Sequence, residues 1–349
     1  MITSSGQELY IGRNSISELQ AILLKEQVKK ALIFTGKHSF KSYKNILEEN
    51  LQGISYATYD NFTSNPKLEE LETAIKNIDK DLDIIIAFGG GSVIDFAKCF
   101  KYKQSLKQKL IAIPTTSGTG AESTQFAVLY VNGEKTSLDD KSILPSYAIV
   151  DSQFTANSPK YLKACTAIDA YCQAIESYWA VKSNDVSKAL AKEAMLLCRD
   201  NIEDFVNTES IAVASNMAKA SNLAGQAINI SRTTAAHALS YAYTSLYGIP
   251  HGHAVALNMI EVFEQNQKVT EDNLNDTRGL TYVKGILKEI ESLLCIHNCD
   301  CFTDYFTKLC SNIGLDLDKS HIQNYNKIAV RSKVNLQRLT NNPVKLSLH

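Results

Sequence analysis

The stretch IIIAFGGGSVIDFAK (84–98) decides the fold. Five apolar residues, three of them isoleucine, run into Gly89, Gly90 and Gly91 without a polar interruption. Such a run, bounded by glycine, reads as a strand buried on both faces. The residues after the glycines read as a helix, with Ser92 where an N-cap belongs. A strand, a glycine turn and a helix make one βα unit of a parallel sheet. The glycines let backbone approach a phosphate, and the first amides of the helix favour an anion there. The pattern is not G-x-G-x-x-G, so a plain tight turn stands beside phosphate binding as a reading.

The same alternation extends on both sides. KALIFTG (30–36), ISYATYD (54–60), LIAIPTT (110–116) and YAIVD (147–151) read as further strands, with helical stretches such as LEELETAIKNI (68–78) between them. IPTTSGTGAES (113–123) is a second strand running into a polar glycine loop. The hydroxyls of Thr115, Thr116, Ser117 and Thr119 suit a ribose or phosphate, and ligands of open α/β sheets sit beyond the strand C-termini. From about residue 158 the pattern becomes Ala- and Leu-rich with helical periodicity, as in VSKALAKEAMLLCRDNI and AVASNMAKASNLAGQAI. The expectation is a Rossmann-like α/β domain over 1–153 and an all-helical domain over 154–349, packed closely with a cleft between them. Residues 262–330 carry no readable motif.

Composition is that of an ordinary globular chain: 349 residues, 44% hydrophobic and 21% charged. A formal net charge of −1 lacks the electrostatic footprint of a nucleic-acid binder. No apolar run reaches the ~18 residues of a membrane span. The first residues show no secretory signal, so the cytoplasm is the expected location. The eight cysteines then read as reduced thiols. Cys295, Cys299, Cys301 and Cys310, with His297 among them, lack the paired C-x2-C spacing of zinc ribbons, which favours packed thiols on a helix–turn–helix over a metal site.

HALSYAYTSLYGIPHGH (237–253) gathers three of the seven histidines. His237 lies on an expected helix, and His251 follows Pro250 at the next turn. Asp169 lies in AIDAYCQAIES, with Gln173 and Glu176 one and two turns further along the same helix face. A carboxylate with two imidazoles is a hard-to-borderline donor set that suits Fe2+ or Zn2+ with open positions. Each residue alone reads first as a polar helix-face residue or a satisfied core histidine.

Taken together, GGGSVIDFAK, PTTSGTGAE, KTSLDDKSILPSYAIVD, AIDAYCQAIESY and HALSYAYTSLYGIPHG resemble the iron-containing (group III) alcohol dehydrogenase family, in the family's order. The resemblance implies the architecture shared with dehydroquinate synthase-like proteins: a nicotinamide-binding domain, then a helical metal-binding domain. It implies cofactor-binding roles for Gly89, Gly90, Gly91, Ser92, Asp95, Thr115, Thr116 and Thr119. Lys135, following a small β-hairpin, is implied near the cofactor as well. Asp169, His237 and His251 match three metal ligands. The implied chemistry is hydride transfer between a nicotinamide and an aldehyde carbon beside a Lewis-acid metal, by a homodimer. Two positions depart from the family habit. Gln173 stands where a fourth ligand, a histidine, is usual, and is at most a weak ligand. Tyr241 stands where a second histidine lies near the nicotinamide, and an ordinary tyrosine pKa near ~10 makes it a poor base.

Those departures, with SRTTAAH and the tail VNLQRLTNNPVKL, are similar to the phosphonoacetaldehyde reductase branch of the family. That resemblance implies reduction of phosphonoacetaldehyde to 2-hydroxyethylphosphonate, as in phosphonate biosynthesis. A phosphonate dianion needs cationic or multiple donor partners. Arg232, Thr233, Thr234, His253, Arg338, Asn341 and Asn342 are the candidates. Gly36 stands where NAD-preferring members carry an aspartate, and Lys37 and Lys41 are close by, which favours NADPH over NADH. The rival readings are a general dehydrogenase for lactaldehyde, glycerol or simple alkanols, a NAD-using sugar-phosphate cyclising lyase, and a nucleotide binder without turnover.

Overall fold

A computed structural model describes residues 1–294 and 301–347. The chain divides into two compact units, Met1–Ser158 and Pro159–His349. The expected break after residue 153 falls slightly early. The 3-10 turn Ser152–Phe154 stays with the first unit because Phe154 packs in its core, against Tyr43 and Phe88.

The first unit contains strands β1 (Glu8–Ile11), β2 (Lys30–Thr35), β3 (Ser55–Tyr59), β4 (Ile84–Gly89), β5 (Lys109–Pro114), β6 (Phe126–Val131), β7 (Glu134–Asp139) and β8 (Tyr147–Val150). Its helices are α1 (Glu18–Lys25), α2 (Lys37–Glu49), α3 (Leu68–Asn77) and α4 (Gly91–Lys103). Six strands form one sheet in the order β1-β8-β5-β4-β2-β3, all parallel. Every residue of β4 is buried, as a strand with helices on both faces requires. β6 and β7 form a separate antiparallel hairpin. The short edge strand ELYI of β1 lacks a long apolar run, which is why periodicity does not reveal it.

Strand order reverses at the centre of this sheet. From β2 the chain moves outward to β3, whereas from β4 it moves through α4 to β5 on the other side. The loops after β2 and β4 therefore flank a topological switch point, where open α/β sheets bind ligands.

The second unit contains α5 (Lys160–Trp179), α6 (Asp185–Asn207), α7 (Ile211–Ser231), α8 (Ala235–Tyr247), α9 (His251–Gln267), α10 (Leu280–Leu293), α11 (Phe302–Asn312), α12 (Lys327–Ser332) and α13 (Leu336–Leu339). Buried alanines such as Ala164, Ala191, Ala194, Ala220 and Ala224 let α5, α6 and α7 approach closely. Among the described residues no helix is long and apolar enough to cross a membrane. Cys310 is buried in α11 and Cys301 is exposed just before it, both as free thiols. Cys295, His297 and Cys299 lie outside the described residues.

Candidate functional site

Three helices of the second unit bring Asp169, His237 and His251 together. One donor atom from each lies within 4.8 Å of the others. Asp169 and His237 are buried and His251 is half-buried. Asp169 comes from the middle of α5, His237 from the first turn of α8, and His251 from the first residue of α9. Gly252 makes this approach possible. A Cβ there would lie 1.8 Å from the Cys165 carbonyl oxygen and 2.8 Å from Asp169 Cβ, so only glycine lets α9 begin against α5. The tight loop before it uses Gly248 at φ 68° to end α8, then Pro250 to start the next helix.

Glu176 orders the centre. It is fully buried, two turns beyond Asp169 on α5. Its Oε1 accepts from Ala236 N at 2.7 Å, His237 N at 3.3 Å and Thr234 Oγ1 at 2.8 Å. The carboxylate thus caps the N-terminus of α8 from another helix, satisfying amides that have no partner within it. Its Oε2 accepts from His237 Nδ1. With Nδ1 engaged, Nε2 is the atom turned to Asp169, at 3.2 Å from Oδ1. Burial opposes a charged imidazole, but the Glu176 charge, with hydrogen bonds to Asp169 and Glu176, raises the His237 pKa to about 9. Burial would raise the Glu176 pKa; the His237 charge and hydrogen bonds hold it below its ordinary value. The pocket stabilises a cation at this point. His251 Nδ1 lies 3.4 Å from Ser240 Oγ, and its ring centroid is 5.4 Å from that of His237.

The other residues singled out from the sequence divide. Gln173 is buried one turn after Asp169. Tyr241 is buried, with its ring centroid 6.3 Å from that of His251. Arg338 lies over the Tyr241 ring, 5.6 Å from guanidinium carbon to centroid, and donates to Thr233 Oγ1. Arg232 turns back instead: its Nη1 donates to the carbonyls of Asn229 and Ile228, capping α7. His253 also turns elsewhere, with Nδ1 2.9 Å from Tyr161 Oη and Nε2 2.7 Å from Asp316 O. It borders a separate cavity of about 460 Å³ lined by Tyr247, Leu257, Asp316 and His321.

In the first unit, three loops at strand C-termini meet. Gly89 pairs with Pro114, and Thr115 N donates to Gly89 O at 3.0 Å. A Cβ on Gly89 would lie 2.5 Å from Val93, and one on Gly91 would lie 2.6 Å from Thr119 Oγ1. These glycines allow the two loops to touch; Gly90 faces Thr116 at a looser 3.5 Å. Thr115 Oγ1 lies 3.2 Å from Ser39 Oγ, which ties in the loop of Gly36 and the exposed Lys37 after β2. Thr116 and Thr119 remain half-exposed.

Three expectations here change. Gly90, not Ser92, is the N-cap of α4, and the Ser92 hydroxyl donates to Ser64 O, because the helix begins within the glycines. Asp95 is a hairpin anchor: its carboxylate accepts from Val128 N at 3.0 Å, and burial raises its pKa to about 6. Lys135 lies within β7, paired with Tyr130, rather than after the hairpin.

Lys98, present in GGGSVIDFAK but given no role by the sequence, is buried. Its Nζ donates to the carbonyls of Ala121 (2.6 Å), Thr124 (2.7 Å) and Phe126 (2.9 Å), folding the segment that comes after Thr119. Gln7 Nε2 holds the same segment at Glu122 O, 2.6 Å away. A lysine on an otherwise apolar helix face is the signal that marks Lys98 in the sequence.

A parallel sheet with a glycine loop at its switch point, followed by a helical unit bearing an Asp/His/His cluster, defines a class. Residues 6–152 match the model of the iron-containing alcohol dehydrogenases, and residues 163–345 match the C-terminal model of the same family. The chain belongs to the iron-containing alcohol dehydrogenase family. It is 30% identical over 310 residues to long-chain-alcohol dehydrogenase 1 of Geobacillus thermodenitrificans, covering 82% of this chain and 78% of that one. It is 28% identical over 239 residues to the phosphonoacetaldehyde reductase of Streptomyces viridochromogenes, covering 61% and 60%. The crystal structure of a 1,3-propanediol oxidoreductase superposes with a TM-score of 0.83 at 25% identity, over 98% of this chain and 95% of that one. Several relatives are matched over less than two thirds of their own length, down to 24%.

Proposed function

We propose that this protein reduces an aldehyde to a primary alcohol with a nicotinamide cofactor and one divalent metal ion, and that the aldehyde is phosphonoacetaldehyde. The observation that carries the reading is the buried Asp169–His237–His251 cluster, with Glu176 ordering His237. The donor set fits the group. Two imidazoles and one carboxylate would hold Fe2+ or Zn2+ and would leave the site cationic overall. Gln173 adds at most a weak carbonyl donor. Lewis-acid polarisation of the carbonyl and donation of hydride are the chemistry that the metal and the nicotinamide supply when bound.

The chain's own residues do the rest. Glu176 holds the His237 Nδ1 proton and so aims Nε2 at the metal position. Ser240 does the equivalent for His251. Tyr241 walls the site and keeps water from it. Gly89, Gly90 and Gly91 open the first amides of α4 to the cofactor phosphates, and Thr116 and Thr119 line the adjoining loop. Gly36 and Lys37 present no carboxylate at the switch point, which favours NADPH over NADH. Arg338, rather than Arg232 or His253, supplies the cation for the phosphonate, because it alone of the three stacks on Tyr241 beside His251. A cytoplasmic homodimer belongs to the same reading, through family resemblance.

The test is NADPH oxidation by the metal-loaded protein, with phosphonoacetaldehyde set against acetaldehyde and lactaldehyde. A preference for the phosphonate in kcat/KM that disappears in Arg338→Ala supports the reading. Equal rates favour a general aldehyde reductase, a second reading drawn from the longer match to the long-chain-alcohol dehydrogenase. A preference for NADH over NADPH in the same assay refutes the cofactor assignment.

A further inference from the structure

Arg232 ends α7 at φ 65° and ψ 174°. That backbone conformation belongs essentially to glycine, and other residues keep it only where their surroundings over-determine it. Thr234 comes next but one as the N-cap of α8, and His237 lies in the first turn of that helix. The turn 231–234 therefore sets where His237 stands.

The bonds that hold this turn come from the far end of the chain. Asn341 is buried and donates from Nδ2 to Ser231 O at 2.8 Å and Thr233 O at 3.1 Å, the carbonyls on either side of Arg232. Its Oδ1 accepts from Lys182 N at 3.1 Å, and its own carbonyl accepts from Val181 N at 3.0 Å. Val181 and Lys182 lie just beyond the end of α5, the helix that carries Asp169 and Glu176. One carboxamide thus joins the end of the Asp169 helix to the start of the His237 helix. Both Nδ2 protons and Oδ1 are used by backbone, so Asn341 is not the substrate contact that the sequence suggested.

We propose that Asn341 is a positioning residue for the metal centre: it clamps the strained Arg232 turn to the end of α5 and so sets His237 against Asp169 and Glu176. The proposal rests on the metal reading of that cluster. Its test uses two measurements on the whole protein: zinc affinity by competition with a chromophoric chelator, and the low-field Nδ1 proton resonance of His237 in metal-free protein by NMR. Asn341→Ala should weaken zinc binding by about 10–100-fold, the effect typical of a group that orients a ligand. It should also lose the His237 resonance, with nicotinamide binding unchanged. Asn341→Asp, which keeps the acceptor for Lys182 N but faces two carbonyls with an oxygen, should do the same.

The decisive variant is R232G/N341A. If the clamp acts by holding strain, glycine at 232 removes the need for it, and zinc affinity and the resonance return. Wild-type affinity in N341A, or a double variant as weak as N341A, overturns the proposal. Should N341A fail to fold, the double variant carries the test: recovery supports the clamp, and a protein still unfolded, or folded with weak zinc binding, overturns it. If wild-type protein binds no zinc, the metal reading fails, and the His237 resonance alone decides the clamp.

Discussion

Glu176→Gln is nearly isosteric, yet it should weaken metal binding at the proposed centre. The carboxylate serves two sets of donors at once. Oε1 receives Ala236 N, His237 N and Thr234 Oγ1, while Oε2 receives His237 Nδ1. A carboxamide has one acceptor and one donor end. If its oxygen caps α8, its NH2 faces Nδ1 and drives the imidazole proton to Nε2, the atom that must face the metal. If its oxygen faces Nδ1, the NH2 opposes the two amides of α8. The second orientation sets a donor against donors at a fully buried position, and the first does so as soon as Nε2 gives up its proton to a cation; a buried mismatch of that kind costs about 1–3 kcal/mol. That matches the ~10–100-fold loss in metal affinity usual for such groups, or about 1.4–2.7 kcal/mol. Chelator competition with zinc near neutral pH measures it. The metal-free protein should respond too, because the Glu176 charge is the main attraction that raises the His237 pKa. An E176Q protein that binds zinc as tightly as wild type would refute the assignment of His237 Nε2 as a ligand.

Gly252→Ala places a Cβ 1.8 Å from the Cys165 carbonyl; overpacking typically costs about 1–3 kcal/mol, and zinc stoichiometry should fall together with Tm, so full zinc content would contradict the close approach of α9 to α5. Gly91→Ala meets Thr119 Oγ1 at 2.6 Å and should weaken nicotinamide nucleotide binding in a fluorescence titration while zinc binding stays intact; unchanged nucleotide affinity would make Gly91 part of a plain turn. Metal loading should release the His237 proton at pH 7, since His237, its pKa raised to about 9, must lose its proton to bind a cation. Calorimetry in buffers of different ionisation enthalpy counts that proton, and a count of zero would be inconsistent with the raised pKa. The same shift makes a stability statement: a folded pKa above the unfolded value of about 6.5 stabilises the metal-free protein fully below that pH, and the contribution is lost as pH rises through about 9. Tm of metal-free wild type should therefore fall over that window relative to E176Q, and parallel curves would count against it.

The sequence by itself determined the layout of this protein. Strands buried on both faces appear as unbroken apolar runs, and helices packed on one side show their own period, so β2, β3, β4, β5 and β8 and the helical second unit are legible locally. Asp169, His237 and His251 stand out in the sequence as a donor set, and the family resemblance joins them. The contacts that hold them in place were not legible. Glu176 lies 61 positions from His237 Nδ1, and Asn341 lies 110 from Ser231. No periodicity encodes which of two buried carboxylates on one helix face meets Nδ1 of His237 and which meets Nε2. Asp169 and Glu176 read alike until α8 is seen to start on the second. The arginines make the same point. Arg232, nearer to His237 in the chain, turns away to cap α7, while Arg338, about a hundred residues distant, lies over Tyr241. Only tertiary structure decided these, because a side chain's role depends on the donors and acceptors that packing brings to it, and here they come from distant turns of the chain.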